Sequence, residues 1–153
     1  MSNLSQRDIS TLFEHEYDHG DVVDIETVQH GYLSNNWIIK TKTDPFFFKE
    51  YRASLKKDNI LCIHQIMRLF KEQKIPVINP LSNRDSSTVI TNDGRCYSLF
   101  PFVKGLLRRR KDLTPKDISA LGDMLARIHR VGSELPHPAD LPLFHGWDRT
   151  AFL

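Results

Sequence analysis

Apolar and polar positions along the chain alternate between two periods. Ser5 with Asp8 three residues later forms a capping-box pattern. Ile9, Leu12, Phe13 and Tyr17 then recur at helical spacing, with Gly20 as the stop. From Val22 the period shortens. Residues Val22 to Val28, Trp37 to Thr41 and Phe46 to Tyr51 read as three strands. Between the first two lies the small and polar run from His30 to Asn36. Between the second and third lies the turn pair Asp44-Pro45. The helical period returns from Asp58 to Lys74, where Ile60, Ile63, Met67 and Phe70 make one stripe with Ile66 beside it. Pro76 prevents continuation and opens an extended stretch to Pro80. Ser87 to Thr91 and Cys96 to Phe100 are two further strands about the hairpin signal Asn92-Asp93-Gly94. Thr114-Pro115 starts a last helix, with Ile118, Leu121, Leu125 and Ile128 on the face to be buried and Gly132 as its stop. Leu135 to Pro142 reads as a loop, and Asp148 to Leu153 as the first turn of another helix.

The order is helix, three strands, helix, two strands, linker, helix. It predicts an α+β fold with five antiparallel strands and one inserted helix, the architecture of a kinase small lobe. The expected division is residues 1–103 for that lobe, and 104–153 for the exit from the linker and the start of a larger lobe. No internal repeat or low-complexity segment interrupts the pattern.

Composition narrows the classes. The chain of 153 residues is 40% hydrophobic and 26% charged, enough for a core and a solvated surface. A net charge of +2 is too small for the basic stripe of a nucleic-acid binder. No apolar run approaches the roughly 18 residues of a membrane span. The first seven residues lack an apolar signal region, and Cys62 and Cys96 are the only cysteines. Together these predict a cytoplasmic protein with reduced, packed thiols.

A nucleotide site on this frame needs three parts: a turn covering the phosphates, a lysine on the third strand for the α/β-phosphates, and a linker whose backbone meets the adenine. Gly31, Ser34, Asn35 and Asn36 occupy the turn, where glycine permits a tight bend and the polar residues supply hydrogen bonds. Lys49 occupies the strand, sharing a face with Phe47 and Tyr51. Phe100, Phe102 and Val103 occupy the linker, and Ile39 on the second strand is a further candidate to line the nucleotide. Taken singly, Lys49 is equally a solvated strand residue and the Gly31 turn only a turn; their order and spacing are what join them.

Five stretches carry a resemblance: Gly31 to Asn36, Phe47 to Arg52, Lys74 to Val77, Leu99 to Gly105 and Leu121 to His129. Together they resemble the aminoglycoside phosphotransferase/choline kinase family, in its homoserine-kinase-like branch, over about residues 9–132. The resemblance implies ATP as cofactor, with Asn35 at the family's loop asparagine, Lys49 at its phosphate lysine and Phe100 to Val103 at its adenine linker. It implies a small-molecule acceptor and Mg²⁺ only in a full-length form, because the catalytic loop H-x-D-x-x-x-x-N and the metal-binding Asp belong to the large lobe. No catalytic or metal-ligating residue is therefore assigned here, and the chain is expected to be inactive alone. Many members pair the lysine with a glutamate on the inserted helix; here Ile63 or His64 stands at that place, and neither is an acid.

Other patterns compete. His19-Gly20-Asp21 lies on the wrong side of the phosphate turn for a catalytic loop, and Glu26 stands where Asn is needed. His145-Gly146-Trp147-Asp148 carries an inserted Trp and follows the preceding helix too soon. His15-Glu16-Tyr17-Asp18-His19 is a literal H-E-x-x-H, but its charged neighbours suit a solvated helix end better than a buried zinc site. Arg108 to Lys111 is a short basic run of the kind common in solvated loops. The rival to an enzyme is a non-catalytic binding module on the same lobe, with apolar surface left uncovered and self-association as its consequence.

Overall fold

The structure is a computed structural model, and it describes residues 4–28, 35–106 and 108–134. Helix α1 (Gln6–Glu16) is followed by strands β1 (Val22–Thr27), β2 (Asn36–Thr41) and β3 (Pro45–Glu50). Helix α2 (Lys57–Glu72), strands β4 (Ile90–Asn92) and β5 (Arg95–Pro101), a short 3₁₀ turn at Arg110–Asp112 and helix α3 (Pro115–Glu134) complete the described order. The five strands form one antiparallel sheet in the order β1-β2-β3-β5-β4. The expected α+β architecture with one inserted helix is the observed one. No described helix is long and apolar enough to cross a membrane.

Both faces of the sheet are used, and strand alternation decides which residue goes where. On one face Ile25, Trp37, Ile39, Phe46, Phe48, Tyr97 and Leu99 form a core sealed by Ile9 and Phe13 of α1 and by Tyr17 just after it. Aromatic rings dominate it: Phe48 stacks on Tyr97 with centroids 5.5 Å apart, and Trp37 lies 6.1 Å from Phe48. The opposite face carries α2, whose Ile60 packs with Tyr51, Val89 and Cys96. Helix α1 begins with the predicted capping box, Ser5 and Asp8 exchanging bonds. Its far end is tied to the loop before β4. The Asn83 amide donates to Glu16 Oε2 at 2.8 Å, and the Arg84 amide donates to the Glu16 carbonyl at 2.9 Å.

The β4–β5 hairpin turns on Asp93 and Gly94, both at positive φ, between the paired residues Asn92 and Arg95. This is the two-residue turn that Asn-Asp-Gly predicts. Helix α2 ends through Lys74 at φ 58, a left-handed position, with the Ile75 amide bonded back to Phe70 at 2.9 Å.

Several expectations need correction. Helix α1 stops at Glu16, well before Gly20, and Tyr17 is already extended. His15 therefore sits in the last turn and His19 beyond the helix, where its ring stacks 4.7 Å from Phe46. The H-E-x-x-H residues do not share a helical face. Strand β4 is shorter than expected, because Ser87 bonds with Val89 through its hydroxyl and holds that stretch as a turn. Helix α3 runs through Gly132 to Glu134. Its apolar face is not covered as expected. Ile118, Leu121 and Leu125 are 59%, 58% and 52% exposed, while Ile128 is half-buried and Val131 is buried. Periodicity selects a face, but burial needs an element to pack on it, and only the end of α3 around Val131 is covered. Cys96 is buried and Cys62 only half-buried; both are free thiols. The expected turn residues Gly31 and Ser34, the stretch Leu135 to Leu153 and the His145 motif lie outside the described residues.

Candidate functional site

Register builds the site. Residues opposite each other on neighbouring antiparallel strands share a face. Asn36 pairs with Lys49, Ile38 with Phe47, Phe47 with Phe100, and Lys49 with Ser98. Asn36, Ile38, Phe47, Lys49, Ser98 and Phe100 thus line one face, the same face on which α2 packs. Four of the expected site residues, Asn36, Phe47, Lys49 and Phe100, are brought together there. Phe102 and Val103 follow the end of β5, Phe102 half-buried and Val103 57% exposed.

Two expected residues fall elsewhere. Ile39 is fully buried on the opposite face, opposite Phe46 in the core. Ile38 takes the place expected of it; counting two residues on along β2 from the Asn36–Lys49 pair identifies it, but only once the register is known. Asn35 also faces away from Lys49. Its side-chain amide donates to Glu50 Oε2 at 2.9 Å, and the Glu50 amide donates back to the Asn35 carbonyl at 3.0 Å. Glu50 is 1% exposed and its other oxygen lies 3.4 Å from Arg95 Nη1. A buried carboxylate is tolerable here because an amide and a guanidinium meet it. Glu50 thereby holds Asn35, the last residue but one of the expected phosphate turn.

The surroundings of Lys49 are electrically sparse. Its side chain is half-buried, and burial pushes its pKa below the ordinary lysine value. Among the described residues no carboxylate forms an ion pair with it. Its ammonium lies 5.2 Å from the centroid of the Tyr51 ring. The Tyr51 hydroxyl bonds His64 Nε2 at 2.9 Å, and His64 Nδ1 bonds Thr88 Oγ1 at 2.8 Å. His64 is one of the two buried residues of α2, and it meets the Phe100 ring edge-on at 6.1 Å. Burial, with the positive charge of Lys49 second, pushes its pKa down to about 4. The imidazole is therefore neutral at physiological pH. Sequence periodicity placed Ile63 and Met67 on the buried stripe and missed His64, which takes the core position between them because two hydroxyls satisfy its nitrogens.

A partly desolvated ammonium on a strand, beside phenylalanine rings and a buried asparagine, lies on one face of a kinase-like small lobe. The comparisons agree with that class. The model of the phosphotransferase enzyme family matches residues 24–153, and the chain belongs to this family. It is 25% identical over 132 residues to a homoserine kinase from Bradyrhizobium, covering 86% of this chain and 40% of that protein. Its fold is similar to that of a spectinomycin phosphotransferase solved with ADP and spectinomycin, at a TM-score of 0.71 and 17% identity, covering 88% of this chain and 42% of that one. It is also similar to an amicoumacin kinase solved with AMP-PNP and Ca²⁺, at a TM-score of 0.76 and 12% identity, covering 87% and 41%. The chain spans about 40% of the length of the curated relatives it matches.

Proposed function

We propose that this chain is the ATP-binding portion of a small-molecule phosphotransferase. The observation that carries the reading is the Lys49 face: a half-buried cation without a carboxylate partner among the described residues, beside the cross-strand pair Phe47 and Phe100. Such a cation is available to phosphate oxygens, and the adjoining rings suit a base. In this reading Gly31, Ser34, Asn35 and Asn36 cover the phosphates, Lys49 holds the α/β-phosphates, and Phe100, Phe102 and Val103 carry the adenine. Residues 1–103 form the nucleotide lobe and 104–153 lead into the acceptor-binding part. Solved neighbours that hold ADP or AMP-PNP support the choice of ligand.

Phosphoryl transfer to a hydroxyl or amine acceptor is assigned to a full-length form. Among the described residues no three His, Cys, Asp or Glu side chains cluster to hold a metal ion. In this reading the metal ligands and the catalytic carboxylate come from the part of the relatives that this chain does not span. Calorimetric titration with ATP and Mg²⁺ tests the reading. Weak binding is expected in the whole chain and none in Lys49→Ala. Equal affinity in the two proteins would remove Lys49 from the site.

A further inference from the structure

The contacts around Lys49 close into a ring. From Lys49 the path runs to the Tyr51 ring, through its hydroxyl to His64, from His64 to the Thr88 hydroxyl, and from the Thr88 carbonyl to Ser98, whose hydroxyl donates to it at 2.8 Å. Ser98 is the cross-strand partner of Lys49, so the path returns to its start. Three elements contribute, namely the β3 end, α2 and the β4–β5 hairpin with its approach. A centroid distance of 5.2 Å is inside the ~6 Å range of a cation–π contact. Tyr51, His64 and Ser98 are all buried. A neutral imidazole donates from one nitrogen and accepts at the other, and two hydroxyl partners suit either tautomer.

We propose that Tyr51 and His64 are positioning residues for Lys49, the phenol ring fixing the ammonium and the imidazole fixing the ring. Both groups are neutral, so they orient the lysine without cancelling its charge, which stays available to a polyphosphate. Many family members hold the lysine by the charge of a glutamate at the place of His64; here two uncharged groups do so. The proposal rests on the reading of Lys49 as a phosphate ligand, and adds how that lysine is held.

The test uses the whole chain with ¹³C-labelled lysine, the Lys49 Cε signal being assigned by its loss in Lys49→Arg. Tyr51→Leu is expected to lower the Lys49 titration midpoint by ~0.5 pH unit, the worth of one cation–π contact. Tyr51→Phe and His64→Phe are expected to lower it by less, since the ring remains but is no longer pinned. His64→Gln, whose amide can bond both hydroxyls, is expected to restore the wild-type midpoint. Amide spectra establish that each variant is folded, and Tyr51→Phe serves if Tyr51→Leu is not. An unmoved midpoint in both Tyr51 variants, or His64→Gln matching His64→Phe, overturns the clamp. In a second arm inorganic tripolyphosphate is titrated into the wild type and His64→Phe. The wild-type Lys49 signal is expected to shift, and His64→Phe to bind about threefold more weakly, as a partly lost cation–π contact would require. Equal or tighter binding by His64→Phe also overturns the proposal. Tripolyphosphate that leaves the wild-type Lys49 signal in place would instead sink the phosphate reading, while the first arm still judges the clamp.

Discussion

Acid should loosen this fold through His64. In the unfolded chain an imidazole titrates near 6.5; in the fold burial and the Lys49 charge hold it at about 4. Above pH 7 both states are neutral and His64 contributes no pH dependence. As pH falls below 6.5 the unfolded state takes up a proton that the folded state refuses, so stability drops until the folded group titrates as well. At ~1.4 kcal/mol per pH unit the loss is about 2 kcal/mol by pH 5 and roughly 3 kcal/mol by pH 4. That is a large fraction of the ~5–15 kcal/mol that holds a domain together. Acid titrates carboxylates too, so the measurement must be a difference. His64→Gln can keep bonds to the Tyr51 and Thr88 hydroxyls and has no proton to gain. Urea unfolding of both proteins at pH 7.5, 6, 5 and 4.5 gives the comparison. Relative to His64→Gln, the wild type should lose about 1 M in midpoint by pH 5, for a slope near 2 kcal/mol/M. Midpoints of the two proteins that fall in parallel from pH 7.5 to 4.5 would refute the reasoning.

Three further outcomes follow from named contacts. Glu50→Ala leaves the Asn35 amide and Arg95 without their buried partner and should cost about 2 kcal/mol in urea unfolding; the cost is less than the ~3–5 for a fully buried pair because Arg95 reaches water. Asn83→Ala removes its bond to Glu16 and the bonds its side-chain oxygen accepts from the Asp85 and Ser87 amides. It should cost about 2 kcal/mol and speed amide exchange in α1, an element far from it in sequence. Lys74→Gly relieves a left-handed residue at the end of α2 and should stabilise by ~1 kcal/mol in thermal unfolding; a loss of stability would show that the lysine side chain contributes more than its backbone costs.

Much of this frame was legible before the structure because its signals are local. Alternation marked the strands, Asn92-Asp93-Gly94 marked the hairpin, and Ser5 with Asp8 marked the first cap. What stayed hidden depends on partners far along the chain. The burial of His64 needs hydroxyls from Tyr51 and Thr88, which sequence spacing cannot bring together. Ile39 and Ile38 look alike in a strand, and only pairing with β3 shows which one joins Lys49. Helix α3 shows the reverse failure, since its apolar stripe promised burial that Ile118, Leu121 and Leu125 do not have. The ordered motifs identified the family; they did not show that Asn35 turns away from Lys49 toward Glu50.

Lys49 and Glu50 are neighbours of opposite charge that a strand sends to opposite faces. This makes the pair a proofreader of its own alignment. A one-residue slip of β3 against β2 or β5 would drive the lysine into an aromatic core with no anion to meet it, and carry the glutamate onto the face read as receiving phosphate. The same slip would expose Phe46 and Phe48. The wrong pairing therefore fails twice over, by a stranded charge within and by aromatic rings left without their core. Two adjacent letters thus guard the sheet against misassembly.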